Sequence, residues 1–359
     1  MTRLDRLARL AVLLCTCALP AAAHADILVG VAGPLSGPNA AFGNELKAGA
    51  NAAITAINAQ GGINGEALAL VEGDDGCDAK RALDVAKSFA SQDVRLVVGH
   101  FCTYASLAAA PTYANAGILM ISPSATAPLL TSSKLWNVFR LTGREDLQAD
   151  IAAARIKADG AASEVVVLSD QSADLAPLVK RIQAALPNAK LFTVKAGSAK
   201  LPEDPALLTA TAAYLALQAN DGGSIAGELR KLNPAIALYG PDSLQSETFA
   251  TKAGDAANGT RVSFLDDLQS RADPKRLSAL ISAEGTTLAA YAAVESFAAA
   301  AKARGVNNSR AMANWLSGGN EINTIIGPVA FTATGDLQKQ PYMLLQWQNG
   351  EMRPDKQAP

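Results

Sequence analysis

Few residues in this sequence could carry covalent chemistry, but several could hold a small charged solute. Three short loops stand out, each following an apolar run and leading into a helical pattern. They are His100-Phe101-Cys102-Thr103-Tyr104, Ser122-Pro123-Ser124-Ala125-Thr126-Ala127-Pro128 and Gly240-Pro241-Asp242-Ser243. Hydroxyls and unpaired backbone N–H groups beside a helix start suit a carboxylate, because a helix N-terminus presents free donors and partial positive charge. Asp242 supplies the opposite sign for an ammonium group, so a zwitterion would find both ends matched. The same residues also have plain structural readings: Thr103 and Ser243 as helix caps, Asp242 as a turn residue.

Catalytic patterns do not emerge. Gly30-Val31-Ala32-Gly33 runs into Pro34 and lacks the third glycine and helix start of a dinucleotide fingerprint. Walker, HExxH and GxSxG patterns are missing. His100 reads as a structural histidine, and Asp74-Asp75 and Asp266-Asp267 as loop or solvated-edge pairs. The expectation is a binding protein without enzymatic activity, cofactor or metal.

The elements that must position these loops alternate. Apolar runs at Ile27–Ala32, Ala67–Val71, Arg95–Gly99 and Gly117–Ile121 predict strands, with helices over about 41–59, 79–90 and 104–114 between them. Gly61-Gly62 ends the first helix. After Arg140 the rhythm restarts, with strands predicted at 164–168, 191–194, 212–217, 235–239 and 261–265. Helices are predicted near 145–158, 175–186, 223–232, 244–253 and 286–303. Short, wholly apolar strands suit parallel sheets covered on both faces, and the alternation implies right-handed βαβ units. There are too many strands for one such sheet, and they fall into two.

Arg3, Arg6 and Arg9, an apolar run over 10–19 and Ala23-His24-Ala25 predict a cleaved signal peptide over residues 1–25. That run is too short to anchor in a roughly 30 Å hydrocarbon core. The 334 residues beyond it carry 28 basic and 32 acidic side chains, a net charge of −4. No basic block exists to displace nucleic-acid counterions, so no nucleic-acid partner is expected. Two cysteines remain, Cys77 and Cys102, and an even pair in an exported chain reads as a disulfide that could contribute about 3 kcal/mol. A zinc site is disfavoured, since His100 is the one histidine beyond the signal.

Several motifs, in order, resemble the branched-chain amino-acid-binding proteins of ABC importers. They are Ser36-Gly37-Pro38 with Phe42-Gly43, Ile57-Asn58-Ala59-Gln60-Gly61-Gly62-Ile63-Asn64-Gly65, Asp74-Asp75-Gly76-Cys77-Asp78, Gly99-His100-Phe101-Cys102 and the run 117–128. The likeness is dense over about 26–145 and returns at Tyr239-Gly240-Pro241-Asp242, Gly327-Pro328 and Gly335-Asp336-Leu337.

The resemblance implies an α/β, type I periplasmic-binding fold: two doubly wound parallel-sheet lobes, three hinge crossovers and a ligand in the cleft. The lobes would comprise 26–143 plus 266–331 and 144–265 plus 332–359. It implies a Cys77–Cys102 bond, Thr103, Ser124 and Thr126 on the ligand's head group, and Asp242, one methylene shorter than the family's glutamate, on its ammonium. Phe42 and Phe101, carried by the matching motifs, join the candidate ligand-binding residues. Asp174 and Gln218 fall where relatives place an aromatic facing the ligand, making that wall more polar; Asp174 also reads as an N-cap. The implied partners are an amino acid or small carboxylic acid and an inner-membrane ABC permease, in the periplasm. Aromatic or other carboxylic acids, amides or urea-like solutes are alternative ligands, and ligand sensing is an alternative role.

Overall fold

Runs of β-branched and aliphatic residues with no polar alternation can sit only where both faces are covered, and the computed structural model places them there. It describes residues 26–278, 280 and 284–355; the predicted signal peptide lies outside them. The first sheet contains β1 (Ile27–Gly33), β2 (Leu68–Asp74), β3 (Leu96–Gly99), β4 (Leu119–Ser122) and β5 (Val138–Arg140), all parallel, in the order β2-β1-β3-β4-β5. Helices Ala40–Ala59, Gly285–Arg304 and Ser309–Ser317 cover one face, and helices Ala79–Ser91 and Thr103–Ala116 the other. Alanine and glycine let these layers approach closely. A Cβ on Gly49 would run into the Thr287 carbonyl of the helix packed against it.

The second sheet contains β6 (Val165–Ser169), β7 (Lys190–Thr193), β8 (Ala212–Ala216), β9 (Ala237–Gly240) and β10 (Arg261–Leu265). A small hairpin of β11 (Ile322–Thr324) and β12 (Gly327–Val329) precedes two final strands, β13 (Tyr342–Gln348) and β14 (Glu351–Pro354). The sheet order is β14-β13-β10-β9-β8-β6-β7. The five strands predicted from the sequence pair in parallel, and two that were not predicted extend the edge, β13 running antiparallel to both β10 and β14. Helices Gln148–Ala158 and Ala176–Ala185 cover one face, and Ala219–Leu232 and Glu247–Ala253 the other. The chain passes between the sheets around 141–147, 265–278 and 337–342. No described helix is long and apolar enough to cross a membrane.

One acidic pair departs from its sequence reading. Asp75 is fully buried rather than a solvated loop residue. It caps its own turn by accepting from Cys77 N at 2.7 Å and meets His100 Nδ1 at 2.6 Å, while His100 Nε2 meets the Tyr113 hydroxyl at 2.9 Å. This buried network, with the Cys77–Cys102 disulfide (Cα–Cα 5.4 Å), ties the loop after β2 to the start of helix Thr103–Ala116. His100 is therefore structural. A buried polar group must be bonded, and here Asp75, His100 and Tyr113, distant in sequence, satisfy one another.

Candidate ligand-binding site

Strand β4 ends at Ser122, and the next five residues are held from beneath. Ser122 Oγ donates to His100 O at 3.0 Å and accepts from Ala125 N at 3.0 Å. Ser124 Oγ donates to Phe101 O at 2.9 Å, tying this loop to the segment that opens helix Thr103–Ala116. Arg140, fully buried on β5, reaches across the loop to Ala125 O (2.8 Å), Ala127 O (3.0 Å) and Thr131 Oγ1 (2.8 Å). Asp336 neutralises it, with Oδ1 2.9 Å from Arg140 Nε. Burial lowers the guanidinium pKa, and the Asp336 charge opposes that. Thr126 sits between the two carbonyls that Arg140 holds, so its position is fixed by a side chain 14 residues later in the sequence.

Thr126 Oγ1 donates to Glu145 Oε2 at 2.8 Å, and Glu145 N returns a bond to Thr126 O at 3.0 Å. Glu145 opens a single 3-10 turn, Glu145–Leu147, that runs straight into helix Gln148–Ala158. The first residue of that helix, Gln148, is buried and grips the opposite side of the site. Its Nε2 donates to Asp242 Oδ1 at 3.3 Å, and its Oε1 accepts from Asp242 N (3.0 Å) and Ser263 Oγ (2.9 Å). Thr126 beyond the first sheet and Asp242 beyond β9 of the second are thus joined through four consecutive residues.

Both carboxylates are raised above their ordinary range. Desolvation is the main cause for Glu145, with the Asp242 charge adding and the Thr126 hydroxyl opposing. Desolvation is again the main cause for Asp242, opposed by Gln148 and backbone N–H groups. Asp242 keeps an open face to solvent while protein surrounds its other sides, so water screens part of that effect. Burial also pushes up the Tyr214 and Tyr342 hydroxyls, and the Asp242 charge adds to both. Tyr214 is fully buried, and its hydroxyl finds no hydrogen-bond partner among the described residues.

The remaining candidates are placed as follows. Thr103 is the first residue of its helix, with Cys102 at the cap position and no side chain closing the end. Its capping role is thereby corrected, and the first-turn N–H groups lack an intrahelical acceptor. Ser243 is no cap either, since its hydroxyl donates to Leu217 O at 2.8 Å. Phe42 and Phe101 stack, with centroids 4.6 Å apart. Asp174, Gln218 and Asp242 follow β6, β8 and β9, which are neighbours in the sheet, and so line up along one carboxyl edge. Asp174 does not cap helix Ala176–Ala185: Leu175 takes that position, and the Asp174 side chain is exposed. Gln218 is exposed and makes no side-chain cap for helix Ala219–Leu232. Glu145, Gln148, Arg140, Tyr214 and Tyr342 were not singled out from the sequence. The strand that precedes Glu145 is itself not legible in the sequence, so its position gave no signal.

Two covered α/β sheets, with hydroxyls from one and carboxylates from the other meeting beyond their strand ends, define a two-lobed solute-binding protein of the type I periplasmic-binding fold. The profile of the periplasmic binding protein family matches residues 26–351, and the chain belongs to that family. The Leu/Ile/Val-binding protein BraC3 of Rhizobium johnstonii is 34% identical over 357 residues, covering 95% of this chain and 97% of the relative. The fold is shared with an ABC transporter substrate-binding protein from Desulfitobacterium hafniense in complex with Leu, with a TM-score of 0.69 and 22% identity over 92% of this chain and 100% of that one. It is shared also with the substrate-binding protein LivJ of Streptococcus pneumoniae in complex with isoleucine, with a TM-score of 0.61 and 23% identity over 92% and 98%.

Proposed function

We propose that this protein, exported to the periplasm by cleavage of residues 1–25, binds an α-amino acid between its two sheets and presents it to the membrane permease of an ABC importer. The observation that carries the reading is the Thr126–Glu145 and Gln148–Asp242 connection. It brings two carboxylates to one place, and among the described residues no basic side chain lies within ion-pair distance of either. An ammonium fits there. The Thr126 hydroxyl has given its proton to Glu145, so its lone pairs are left to accept from a ligand N–H. The ligand carboxylate goes to the Thr103 helix start and the loop around Ser124, where free N–H groups and the helix dipole favour negative charge. Asp174 and Gln218 line the far wall as the two lobes close. A ligand that touches both lobes binds the closed form better and shifts the population towards it.

The reading is tested by a thermal-shift screen of refolded, ligand-stripped chain from Asp26 onward, against amino acids and against acids and amides that lack an α-amino group. A ligand at about 100 times its Kd stabilises by roughly 2.7 kcal/mol, enough to move the midpoint by a few degrees. A shift given only by compounds without an ammonium would sink the proposal.

Binding should also depend on pH with a definite sign. Both acids have raised pKa values in the free protein, so protons compete with the ammonium at a higher pH than for ordinary carboxylates. Affinity is full above the raised values and falls as pH drops through them. The stability of the ligand-free protein responds oppositely, because folded protein holds these protons more tightly than unfolded chain and gains stability over the same descent. Titration calorimetry in buffers of different ionisation enthalpy should report proton release on binding at mildly acidic pH; proton uptake would contradict this account.

A further inference from the structure

The crossovers at 141–147 and 337–342 are fastened to each other. Arg144 N donates to Gln340 Oε1 at 2.9 Å, and Gln340 Nε2 donates to Leu337 O at 2.6 Å. A Cβ on Gly143 would come within 2.5 Å of the Tyr342 ring, so the two segments pack with no room for a side chain between them. The Arg144 guanidinium then reaches in two directions. On one side Nε and Nη2 donate to the two oxygens of the buried Asp146 carboxylate, at 2.7 and 3.0 Å, a bidentate and therefore directional pair. Asp146 lies in the turn Glu145–Leu147, which opens helix Gln148–Ala158 on the second sheet. On the other side Nη1 lies 3.5 Å from Asp336 Oδ2. Asp336 is anchored to the first sheet, where its Oδ1 accepts from Thr131 Oγ1 at 2.8 Å and lies 2.9 Å from Arg140 Nε. Burial opposes the Arg144 charge, but Asp146 and Asp336 outweigh it and hold the guanidinium pKa above its ordinary range.

These contacts respond differently to a rotation of one lobe against the other. The Arg144–Asp146 pair lies within one short turn, and the Asp336–Arg140 pair within the first lobe, so each moves as a unit. The Arg144–Asp336 contact joins the two units and is the longest of the set, so a rotation is felt there first.

We infer that Arg144 is a positioning residue for ligand binding, which sets the angle between the two lobes before a ligand arrives. It acts through Glu145 and Gln148, the residues that follow it and that hold Thr126 and Asp242 in one place. The inference rests on the reading that a ligand is held between the lobes. With Arg144 in place the assembled arrangement is populated in the free protein. Without it the lobes sample other angles, and the apparent Kd rises by the inverse of the competent fraction.

Small-angle X-ray scattering of ligand-free chain from Asp26 onward tests the hinge directly. Arg144→Met, unbranched and uncharged, should give a larger radius of gyration than wild type. Calorimetry and stopped-flow binding with L-alanine, L-leucine and L-glutamine test the consequence. Whichever of these binds wild type should bind Arg144→Met about tenfold more weakly, the loss appearing in the association rate. Arg144→Lys keeps the charge but not the fork, and should recover part of both effects. Asp146→Asn loosens the same clasp from its other end and serves if Arg144→Met does not fold. Arg261→Met is the control for simple destabilisation, because its partners Asp355 (2.8 Å) and Asp159 (3.7 Å) lie with it on the second lobe. It should lower the thermal midpoint and leave the radius of gyration and the affinity unchanged. An unaltered radius of gyration in the clasp variants, or an affinity loss that Arg261→Met reproduces, overturns the inference. If none of the three amino acids binds wild type, the amino-acid reading fails, while the ligand-free scattering still decides the role of Arg144.

Discussion

Asp242→Asn should weaken the binding of an α-amino acid by about 2–5 kcal/mol, roughly 30- to 4,000-fold, as expected when one member of a desolvated charge pair is removed. Asparagine keeps the shape, and its amide oxygen can still accept from Gln148 Nε2, so the 3-10 turn Asp242–Gln245 should hold. The unliganded protein should lose no stability and could gain some, because the carboxylate it loses is one that burial disfavours. Calorimetry gives the affinity and the thermal midpoint the stability. Undiminished affinity would show that Asp242 does not receive the ammonium. A parallel fall in affinity and midpoint would show that its role is structural.

The second large effect lies beneath the site. Arg140→Met should destabilise the fold by about 3 kcal/mol, because it leaves the nearly buried Asp336 carboxylate with Arg144, at 3.5 Å, as its one remaining guanidinium among the described residues. It also releases Ala125 O, Ala127 O and Thr131 Oγ1, the three acceptors that fix the loop carrying Thr126. Ligand affinity should therefore fall together with stability. Combining it with Asp336→Leu removes the under-compensated carboxylate and should restore much of the thermal midpoint, since a buried pair replaced by apolar groups is often close to neutral. Affinity should stay low in the double variant, as the loop remains unpinned. Affinity returning along with the midpoint would mean that Arg140 acts only through global stability.

Much of this arrangement is legible in local patterns. The apolar run Arg261–Leu265 is a strand with the predicted bounds, and the helices predicted at 41–59, 79–90 and 286–303 lie within a residue or two of those observed. These segments announce themselves because burial on both faces leaves an uninterrupted apolar run, and burial on one face leaves a helical period. Strand β5 escapes that test. Val138-Phe139-Arg140 is short and ends in a charge, and nothing nearby in the sequence says that Asp336 will neutralise it. The antiparallel edge of β13 and β14 escapes for a related reason, since strand direction depends on how the chain returns from the other sheet.

The site divides along the same line. Residue type and loop position marked the loops, because a strand end leading to a helix start is chemically distinctive wherever it occurs, and the family resemblance singled out Thr103, Ser124, Thr126 and Asp242 within them. What each side chain is free to do was decided by tertiary structure. Ser124 spends its proton on Phe101 O, Asp75 and His100 form a buried network, and Asp174 leaves the helix cap to Leu175. Glu145 and Gln148, three positions apart, connect the hydroxyl beyond one sheet to the acid beyond the other. The sequence by itself determined two covered α/β sheets and the loops at their strand ends, because periodicity and turn chemistry act over a few residues. Hydrogen bonds and charge compensation join residues up to about 200 positions apart, as in Thr131 and Asp336, so only the folded chain decides which polar groups are already satisfied and which still await a ligand.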